Sequence, residues 1–472
     1  MAYTLQREIE TRDASPGGPE RGPEGVRRVA FTTLGCKVNF HDTEGVASLF
    51  RRRGYQVVDF DETADVYVIN TCSVTDQAAK KSRQVIRRAI SRNPRAVVVA
   101  MGCYVQYAPD EVSAIPGVDV VVGSHRRAEL VDMVEEVFRT RRPVRAVEKI
   151  FKVREFEELP ALDFEGRTRA VVKIQDGCNE FCSFCQIPWA RGRSRSRRPE
   201  RVEELVWRLA EQGFKEVVLT GVHLGDYGDD LDPPVSLARI LQRIHEIPGI
   251  ERIRLSSIYP NEIDDQLFEA VTGLPKICRH LHIPAQSGDD DILLLMRRRH
   301  SVDQFRRMVE RLRRAQPEMA ITTDVIVGFP GETEERFANT YAFCREMEFS
   351  KIHVFPYSAR SGTAAVRLPG HVDKEEKHRR ARRLIALSDE LAYAYHRRMV
   401  GRRWRVLVER SGEPLLRGLT DTYVRVHFEP GRAPVREGDL VDVEVERAGH
   451  DGVYGRVPAG TREGVPPGPG EV

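Results

Sequence analysis

Three cysteines on one short loop carry the strongest chemical signal in the sequence. Cys178, Cys182 and Cys185 form a C-x3-C-x2-C pattern in the segment DGCNEFCSFCQIP, directly after a predicted strand. Thiolates gathered on a short loop hold cubane iron–sulfur clusters, and three protein ligands leave one iron of a four-iron cluster free to bind a cofactor or substrate. A zinc site would need a fourth ligand at close spacing, and the first downstream histidine is His223. The loop therefore favours a [4Fe-4S] cluster with one open iron.

A second trio of cysteines is spread widely along the chain. Cys36, Cys72 and Cys103 each follow a predicted strand. Because the carboxyl ends of parallel strands lie at one edge of a sheet, the three thiols can converge there and hold a second cluster. Small buried core residues are the alternative, since cysteine often has that role, but the first motif favours ligation. Cys278 and Cys344 lack partners at ligand spacing and are predicted to be structural.

The elements around both trios predict an α/β protein with three domains. Over residues 27–140, short β-branched runs alternate with helical patterns, which is typical of a βαβ domain with a parallel sheet. Over residues 164–395, six further strand–helix units predict a partial (β/α)6 barrel. Over residues 398–460, short alternating strands separated by Gly and Pro predict a small antiparallel β-barrel.

The segments outside these domains carry no clear periodicity. Residues 1–26 are predicted to be a disordered leader, residues 141–163 a linker and residues 461–472 a disordered tail. The N-terminus lacks the apolar core of a signal peptide, and no apolar run is long enough to span a bilayer. We therefore expect a cytoplasmic protein with no membrane partner.

Basic residues are clustered although the net charge is only +3. Six arginines lie from Arg191 to Arg201, a second cluster runs from Arg297 to Arg314, and a third from Lys377 to Arg383. Each run alone could be a solvated helix face, but three in a nearly neutral chain favour a polyanionic partner. In the last domain, Trp404 and Tyr423 stand among arginines, a composition that suits RNA phosphates and unstacked loop bases. These arginines are Arg402, Arg403, Arg405, Arg417 and Arg425.

The three-cysteine loop resembles that of the radical S-adenosylmethionine (SAM) superfamily. The stretches LTGVHLGDYG, residues 219–228, and DVIVGFPGET, residues 324–333, extend the match. The resemblance implies that the open iron binds SAM and that Phe184 and Gly328 lie near its adenine. It also implies that the backbone at Gly221 and Val222 contacts the amino group of SAM.

Further motifs resemble the methylthiotransferases of this superfamily. They include GCKVNFHDTE, NTCSVTDQA and MGCYVQ around the second trio, and HIPAQSGDDDILLLMRR and FPYSARSGTAAVRLP in the barrel region. The C-terminal domain resembles the TRAM RNA-binding module. The resemblance implies two [4Fe-4S] clusters, one held by each trio, and replacement of an unactivated C–H bond by C–SCH3. It also implies a sulfur source and an electron donor such as flavodoxin or ferredoxin.

The forms GCKVN and TGVHLGDYG are most similar to the branch that modifies N6-threonylcarbamoyladenosine at tRNA position 37, beside the anticodon. Phe40 stands where that family pattern leads us to expect Gln. The sister branches, which act on N6-isopentenyladenosine or on an aspartate of a ribosomal protein, stay open as alternatives. A non-catalytic iron–sulfur RNA-binding protein is disfavoured, because a purely structural cluster would be fully ligated.

Overall fold

Three folded units follow one another along the chain. The computed structural model describes residues 25–160, 167–410, 415–430 and 434–458. Nearly all of the predicted leader, the whole predicted tail and the last residues of the predicted linker lie outside these ranges. None of the described helices combines the length and the apolar composition that a membrane crossing requires.

The first unit is a six-stranded parallel sheet with the order β2-β1-β3-β4-β5-β6. Its strands are β1 Arg28–Thr33, β2 Gln56–Val58, β3 Val66–Thr71, β4 Val97–Gly102, β5 Val120–Val122 and β6 Val144–Ala146. Its helices are α1 Lys37–Arg52, α2 Asp76–Arg92, α3 Cys103–Tyr107, α4 Pro109–Ser113 and α5 Leu130–Thr140. Apolar clusters cover both sheet faces, so β3 and β4 are buried throughout, as their β-branched sequences indicate.

The sheet extends beyond the boundary that the sequence predicted at residue 140. β6 pairs in parallel with β5 and lies inside the segment predicted to be a linker. A strand of three residues with a charged residue, Arg145, at its centre has too little periodicity to be recognised.

The second unit is a partial barrel of six parallel strands, as predicted. These strands are β7 Arg169–Lys173, β10 Glu216–Thr220, β11 Arg252–Leu255, β12 His280–His282, β13 Ala320–Val327 and β14 Lys351–Pro356, and a short antiparallel pair is formed by β8 Gln175–Asp176 and β9 Arg195–Ser196. The helices are α6 Ile187–Arg191, α7 Pro199–Glu211, α8 Leu237–His245, α9 Asp265–Gly273, α10 Asp290–Leu295, α11 Val302–Ala315, α12 Glu334–Glu346 and α13 Lys374–Met399. Two sheets, β11-β10-β7 and β12-β13-β14, are joined by the bridges Ile253–Ile277 and Ser257–His282.

Helix α1 of the first unit lies along the free edge of β7. The Nδ1 atom of His41 lies 2.9 Å from the carbonyl oxygen of Val171 and 3.3 Å from the backbone nitrogen of Lys173. Burial, reinforced by the charge of Lys173, lowers the pKa of His41 to about 3, so the ring is neutral beside the strand. The first unit thereby covers an edge of the barrel that would otherwise lack hydrogen-bond partners.

The third unit is a closed five-stranded barrel with the order β15-β16-β17-β19-β18. Its strands are β15 Arg403–Arg410, β16 Leu416–Thr420, β17 Arg425–Glu429, β18 Leu440–Gly449 and β19 Gly452–Arg456. The predicted small barrel is confirmed, although β17 and β19 pair in parallel and β16 was not among the predicted strands. The sequence LRGLT of β16 lacks the alternation that identified the other four strands.

Buried arginines of the second unit dock this barrel. Arg254 donates to the carbonyl oxygens of Thr420 and Asp421 at 3.1 and 2.8 Å, and Arg252 donates to that of Leu419 at 3.0 Å. These arginine side chains thus satisfy the backbone carbonyl groups at the end of β16 and in the turn that follows it.

The two aromatic residues assigned to an RNA-facing surface have other positions. Trp404 is buried in the core of the small barrel. Tyr423 has a left-handed φ of +66° and places its ring 4.7 Å from the guanidinium carbon of Arg254 and 4.9 Å from the ring of His280. That part of the prediction is wrong, because alternation along a strand does not reveal what covers each face.

Candidate active site

The thiols of the second trio meet at the carboxyl edge of the first sheet. Cys36 precedes α1, Cys72 follows β3 and Cys103 opens α3 directly after β4. Burial, together with the neighbouring Cys103 and Cys36, raises the pKa of the Cys72 thiol to about 12. The convergence expected from parallel strand ends is therefore present in the fold.

Glycine residues before two of these cysteines allow the close approach. Gly102 has a φ of +98°, and a Cβ atom there would lie 2.2 Å from the side-chain oxygen of Asn70. Gly35 has a φ of +109°, and its Cβ would lie 3.0 Å from the sulfur of Cys72. Any other residue would strain the backbone and push the thiols apart.

The first trio lies on the loop that follows β8 in the partial barrel. Backbone N–H groups of Glu180 and Ile187 donate to the sulfurs of Cys178 and Cys185 at 3.3 and 3.4 Å. A guanidinium nitrogen of Arg298 lies 3.6 Å from the sulfur of Cys182. Each of the three sulfurs therefore has a hydrogen-bond donor close to it.

Phe184 lies on this loop, and the other residues expected to contact SAM lie on two sides of it. Phe184 packs edge-on against Phe329, with ring centroids 6.4 Å apart, and Gly328 precedes that ring. Gly221 and Val222 follow β10 on the other side, and their neighbour His223 has its Nδ1 atom 3.7 Å from the sulfur of Cys178.

Arg191, at the end of α6, contacts residues of both cysteine regions and was not recognised as functional in the sequence. Its Nε donates to the sulfur of Cys103 at 3.1 Å. Its Nη1 donates to Oδ2 of Asp42 at 2.9 Å and to Oδ2 of Asp176 at 3.1 Å. Its Nη2 donates to the side-chain oxygen of Asn39. One buried guanidinium thus connects a thiol of the second trio with β8, the strand that precedes the loop of the first trio.

The carboxylates around Arg191 stay ionised although they are buried. Burial alone would raise the pKa of Asp42, but Arg127, Lys173 and Arg191 hold that pKa well below its usual range. The pKa of Asp176 is likewise held well below its usual range by Lys173, Arg191 and other arginines. These residues form a charge network between the first and second units, which fixes their relative position.

This network corrects the interpretation of the first arginine run. Arg191, Arg195 and Arg197 are buried, and Arg197 pairs with Glu158 at 3.1 Å. Half of the six arginines therefore have internal partners and cannot face a polyanion.

The run from Lys377 to Arg383 is also largely paired within the protein. Arg380 is buried and lies 2.7 Å from a carboxylate oxygen of Glu332. Arg379 and Arg383 both pair with Glu334, at 2.8 and 2.7 Å. For this run the solvated and paired helix face is the better interpretation.

A polar cluster that the sequence did not reveal lies on three neighbouring strands of the second unit. The side-chain nitrogens and oxygens of His282, Asp324 and His353 that could bind a ligand all lie within 4.8 Å of one another. Thr322 fixes His282 by a contact of 2.9 Å to its Nδ1 atom. Strand register explains the grouping, because Asp324 pairs with His353 and His282 pairs with Thr322.

Comparison with known sequences agrees with this architecture. The profile of the Radical SAM superfamily matches residues 172–344, and that of "Uncharacterized protein family UPF0004" matches residues 28–123. The threonylcarbamoyladenosine tRNA methylthiotransferase MtaB of Bacillus subtilis is 46% identical over 428 residues, covering 89% of this chain and 94% of the relative. The chain belongs to the radical SAM methylthiotransferase family.

Other relatives of this family are more distant. MtaB of Thermotoga maritima is 36% identical and covers 92% of this chain and 100% of its own length. A tRNA-2-methylthio-N(6)-dimethylallyladenosine synthase of Clostridium botulinum is 33% identical, covering 88% and 94%. The solved structure of the radical SAM methyltransferase TsrM from Kitasatospora setae shares the fold with a TM-score of 0.54 at 16% identity, covering 70% of this chain and 75% of TsrM.

The enzyme uses [4Fe-4S] clusters and SAM as cofactors, as its family membership establishes. The structure fits them, because six of the eight cysteines fall into two groups of three and each group is surrounded by hydrogen-bond donors or cations. The remaining two, Cys278 and Cys344, are buried, in agreement with a structural role.

Proposed function

We propose that this enzyme attaches a methylthio group to carbon 2 of N6-threonylcarbamoyladenosine at position 37 of tRNA. The observation that carries the proposal is the 46% identity to a threonylcarbamoyladenosine tRNA methylthiotransferase over nearly the whole chain. The dimethylallyladenosine synthase, which is 33% identical, makes the isopentenyl-modified base the second candidate substrate. The enzyme would act in the cytoplasm on the anticodon loop.

In this proposal each trio holds one cluster. Cys178, Cys182 and Cys185 ligate the SAM-binding cluster, and the convergent thiols at the edge of the first sheet ligate the auxiliary cluster. These thiols are Cys36, Cys72 and Cys103. When bound, the clusters and SAM supply the electron, the radical and the sulfur that the reaction needs. The domain limits 27–140, 164–395 and 398–460 are part of the same proposal, with the sheet of the first domain continuing to residue 146.

The side chains of the enzyme bind and orient SAM and the substrate base, and they exclude water from the site. The Phe184–Phe329 pair offers an apolar surface for the adenine of SAM, and Gly328 lets the backbone approach it closely. Gly221 and Val222 offer backbone groups to the other end of SAM. A carbon–hydrogen bond of adenine has no acidic proton, so an acid–base side chain could not activate the target carbon. The arrangement is therefore one of positioning rather than of acid–base catalysis.

Two partners are needed besides tRNA. The SAM-binding cluster requires a one-electron donor, for which flavodoxin or ferredoxin is the proposed class. The transferred sulfur must be replaced after each turnover, so a sulfur source is also required.

Mass spectrometry of tRNA nucleosides from a deletion strain tests the proposal. We expect the methylthio derivative of threonylcarbamoyladenosine to disappear, and to return with the wild-type gene but not with Cys182→Ala. Loss of the methylthio isopentenyl nucleoside instead would assign the enzyme to the second candidate substrate.

A further inference from the structure

Polar side chains line part of the interior of the partial barrel. Along β13, Val325 packs into the apolar core between the strands and the helices, so its neighbour Asp324 faces the interior. The strand register places His353 of β14 beside Asp324, and His282 of β12 beside Thr322, on the same face. These three residues, His282, Asp324 and His353, form an interior cluster where bulky apolar side chains usually fill a (β/α) barrel.

The interior cluster is partly accessible and lies deeper than the surface proposed for SAM. The side chains of His282 and Asp324 are 16% and 28% exposed although they lie inside the barrel. Ile326, two residues further along β13, packs with Phe184 against the apolar cluster that contains Phe329. Since a strand rises about 3.3 Å per residue, Asp324 lies about 7 Å below Ile326, away from the loop of the first trio.

The interior cluster offers both hydrogen-bond donors and acceptors. A nitrogen of His282 lies 3.3 Å from a carboxylate oxygen of Asp324, and its other nitrogen contacts the hydroxyl of Thr322 at 2.9 Å. Although burial raises the pKa of Asp324, the contact with His282 lowers it below its usual value, so the carboxylate is ionised. Burial lowers the pKa of His353 to about 4, so its neutral ring provides one donor and one acceptor.

Lys37 adds a cation to the same part of the molecule. It opens α1, and its ammonium lies 5.7 Å from the centroid of the Tyr423 ring. That ring lies 4.9 Å from the ring of His280, which contacts the same Thr322 hydroxyl as His282. Lys37 is half-buried and has no carboxylate partner among the residues that the structure describes. Because a partly buried charge is unfavourable without a counter-ion, an anionic ligand would stabilise this ammonium.

We propose that Lys37 and the interior cluster bind the threonylcarbamoyl group of the substrate adenosine. This inference deepens the proposed function and rests on it. The threonylcarbamoyl group consists of a urea linkage, a carboxylate and a hydroxyl. Lys37 pairs with the carboxylate, and Asp324, which would repel that carboxylate, accepts a hydrogen bond from the hydroxyl. The two imidazoles bind the urea linkage, which has both a carbonyl acceptor and N–H donors.

The shape of the modified base fits this placement. The C2–H bond and the N6 substituent leave the six-membered ring of adenine in different directions. With carbon 2 near SAM, the substituent can therefore extend deeper into the barrel, towards the interior cluster. An isopentenyl group would cover the same polar side chains without forming a hydrogen bond, which is unfavourable. The site thus favours the threonylcarbamoyl base over the second candidate substrate.

Methylthiolation by the complete, reconstituted enzyme tests the assignment. The ratio kcat/KM is measured with tRNA carrying threonylcarbamoyladenosine and with tRNA carrying its glycylcarbamoyl analogue, which keeps the carboxylate but lacks the hydroxyl. The variants are Lys37→Met, Lys37→Arg and Asp324→Asn. Lys276→Met is the matched control, because Lys276 is also half-buried but donates to the carbonyl oxygen of Ile247 at 2.8 Å. Iron content and SAM cleavage without tRNA are compared to show that the cofactor sites of each variant are intact.

The expected results depend on both the variant and the substrate. Lys37→Met should lower kcat/KM about 10- to 150-fold on both RNAs, because a charge-assisted hydrogen bond to the carboxylate is lost. Lys37→Arg should recover most of that loss. Asp324→Asn should lower kcat/KM about 5- to 10-fold on the threonylcarbamoyl substrate only, since the glycylcarbamoyl analogue has no hydroxyl to bind. The control should match the wild type on both RNAs.

Unchanged kcat/KM in Lys37→Met would overturn the inference while leaving the proposed function intact. An equal loss in Lys37→Met and Lys276→Met, or an equal effect of Asp324→Asn on both RNAs, would overturn it too. If Lys37→Met loses iron because Lys37 adjoins Cys36, the Asp324→Asn comparison decides alone. A wild type that modifies isopentenyladenosine but not threonylcarbamoyladenosine would contradict both proposals, and the nucleoside analysis would show that failure independently.

Discussion

Replacement of Arg191 by methionine removes a buried guanidinium that contacts both cysteine regions. The variant keeps an unbranched apolar stem but loses the hydrogen bonds to Cys103, Asp42 and Asp176 at 3.1, 2.9 and 3.1 Å. Asp42 keeps its contacts with Arg127 and Lys173, and Asp176 keeps one with Lys173 at 3.1 Å. The electrostatic stabilisation of the two carboxylates is therefore weakened, but neither carboxylate is left without a partner.

These remaining ion pairs determine how far the free energy of unfolding should fall. Removing one partner of a buried ion pair costs about 3 to 5 kcal/mol, so the free energy of unfolding should fall by about 3 kcal/mol, the lower end of that range. The reduction potential of the auxiliary cluster should also become more negative, because a positive charge and an N–H donor next to a ligating sulfur are lost. Arg191→Lys keeps the charge and should show a smaller change in both quantities.

Anaerobic urea unfolding followed by circular dichroism measures the first effect, and a redox titration monitored by electron paramagnetic resonance measures the second. Arg193→Met is the matched control, since Arg193 lies two residues away with an exposed side chain. Unchanged stability together with an unchanged potential in Arg191→Met would show that the guanidinium does not connect the two regions energetically.

Three further changes have clear expected outcomes. Gly102→Ala should reduce the iron content to about four atoms per chain, because the new Cβ would lie 2.2 Å from the side-chain oxygen of Asn70, beside Cys103. Gly54→Ala is the control: Gly54 also has a positive φ, of +81°, but open space surrounds it, so this variant should keep all the iron. Tyr423→Ala should destabilise the docked barrel by about 3 to 5 kcal/mol, measured by thermal unfolding, and expose it to limited proteolysis; an unaltered proteolytic pattern would contradict the docking role. Cys344→Ala should keep the full iron content in a colorimetric assay, whereas an iron loss would show that a structural role is wrong.

The domain order and both cysteine groups could be predicted because they depend on local patterns. The C-x3-C-x2-C spacing is contained in one loop, and the three other cysteines follow strongly β-branched strands whose ends must share an edge. Short elements without periodicity, such as β6 and β16, could not be recognised in the same way.

The environment of the arginines could not be predicted, because it depends on residues far apart in the chain. Arg191 meets Asp42 across 149 positions, and its sequence neighbourhood looks like a surface-exposed basic run. Tyr423 illustrates the same point, since only the fold brings Arg254 beneath its ring.

Iron content of anaerobically reconstituted protein is the most direct test of two separate cluster sites. We expect about eight iron atoms per chain in the wild type and about four in Cys182→Ala and in Cys72→Ala, with each single variant keeping the other cluster. About four iron atoms in the wild type, or a full complement in either variant, would contradict the assignment of one cluster to each group of cysteines.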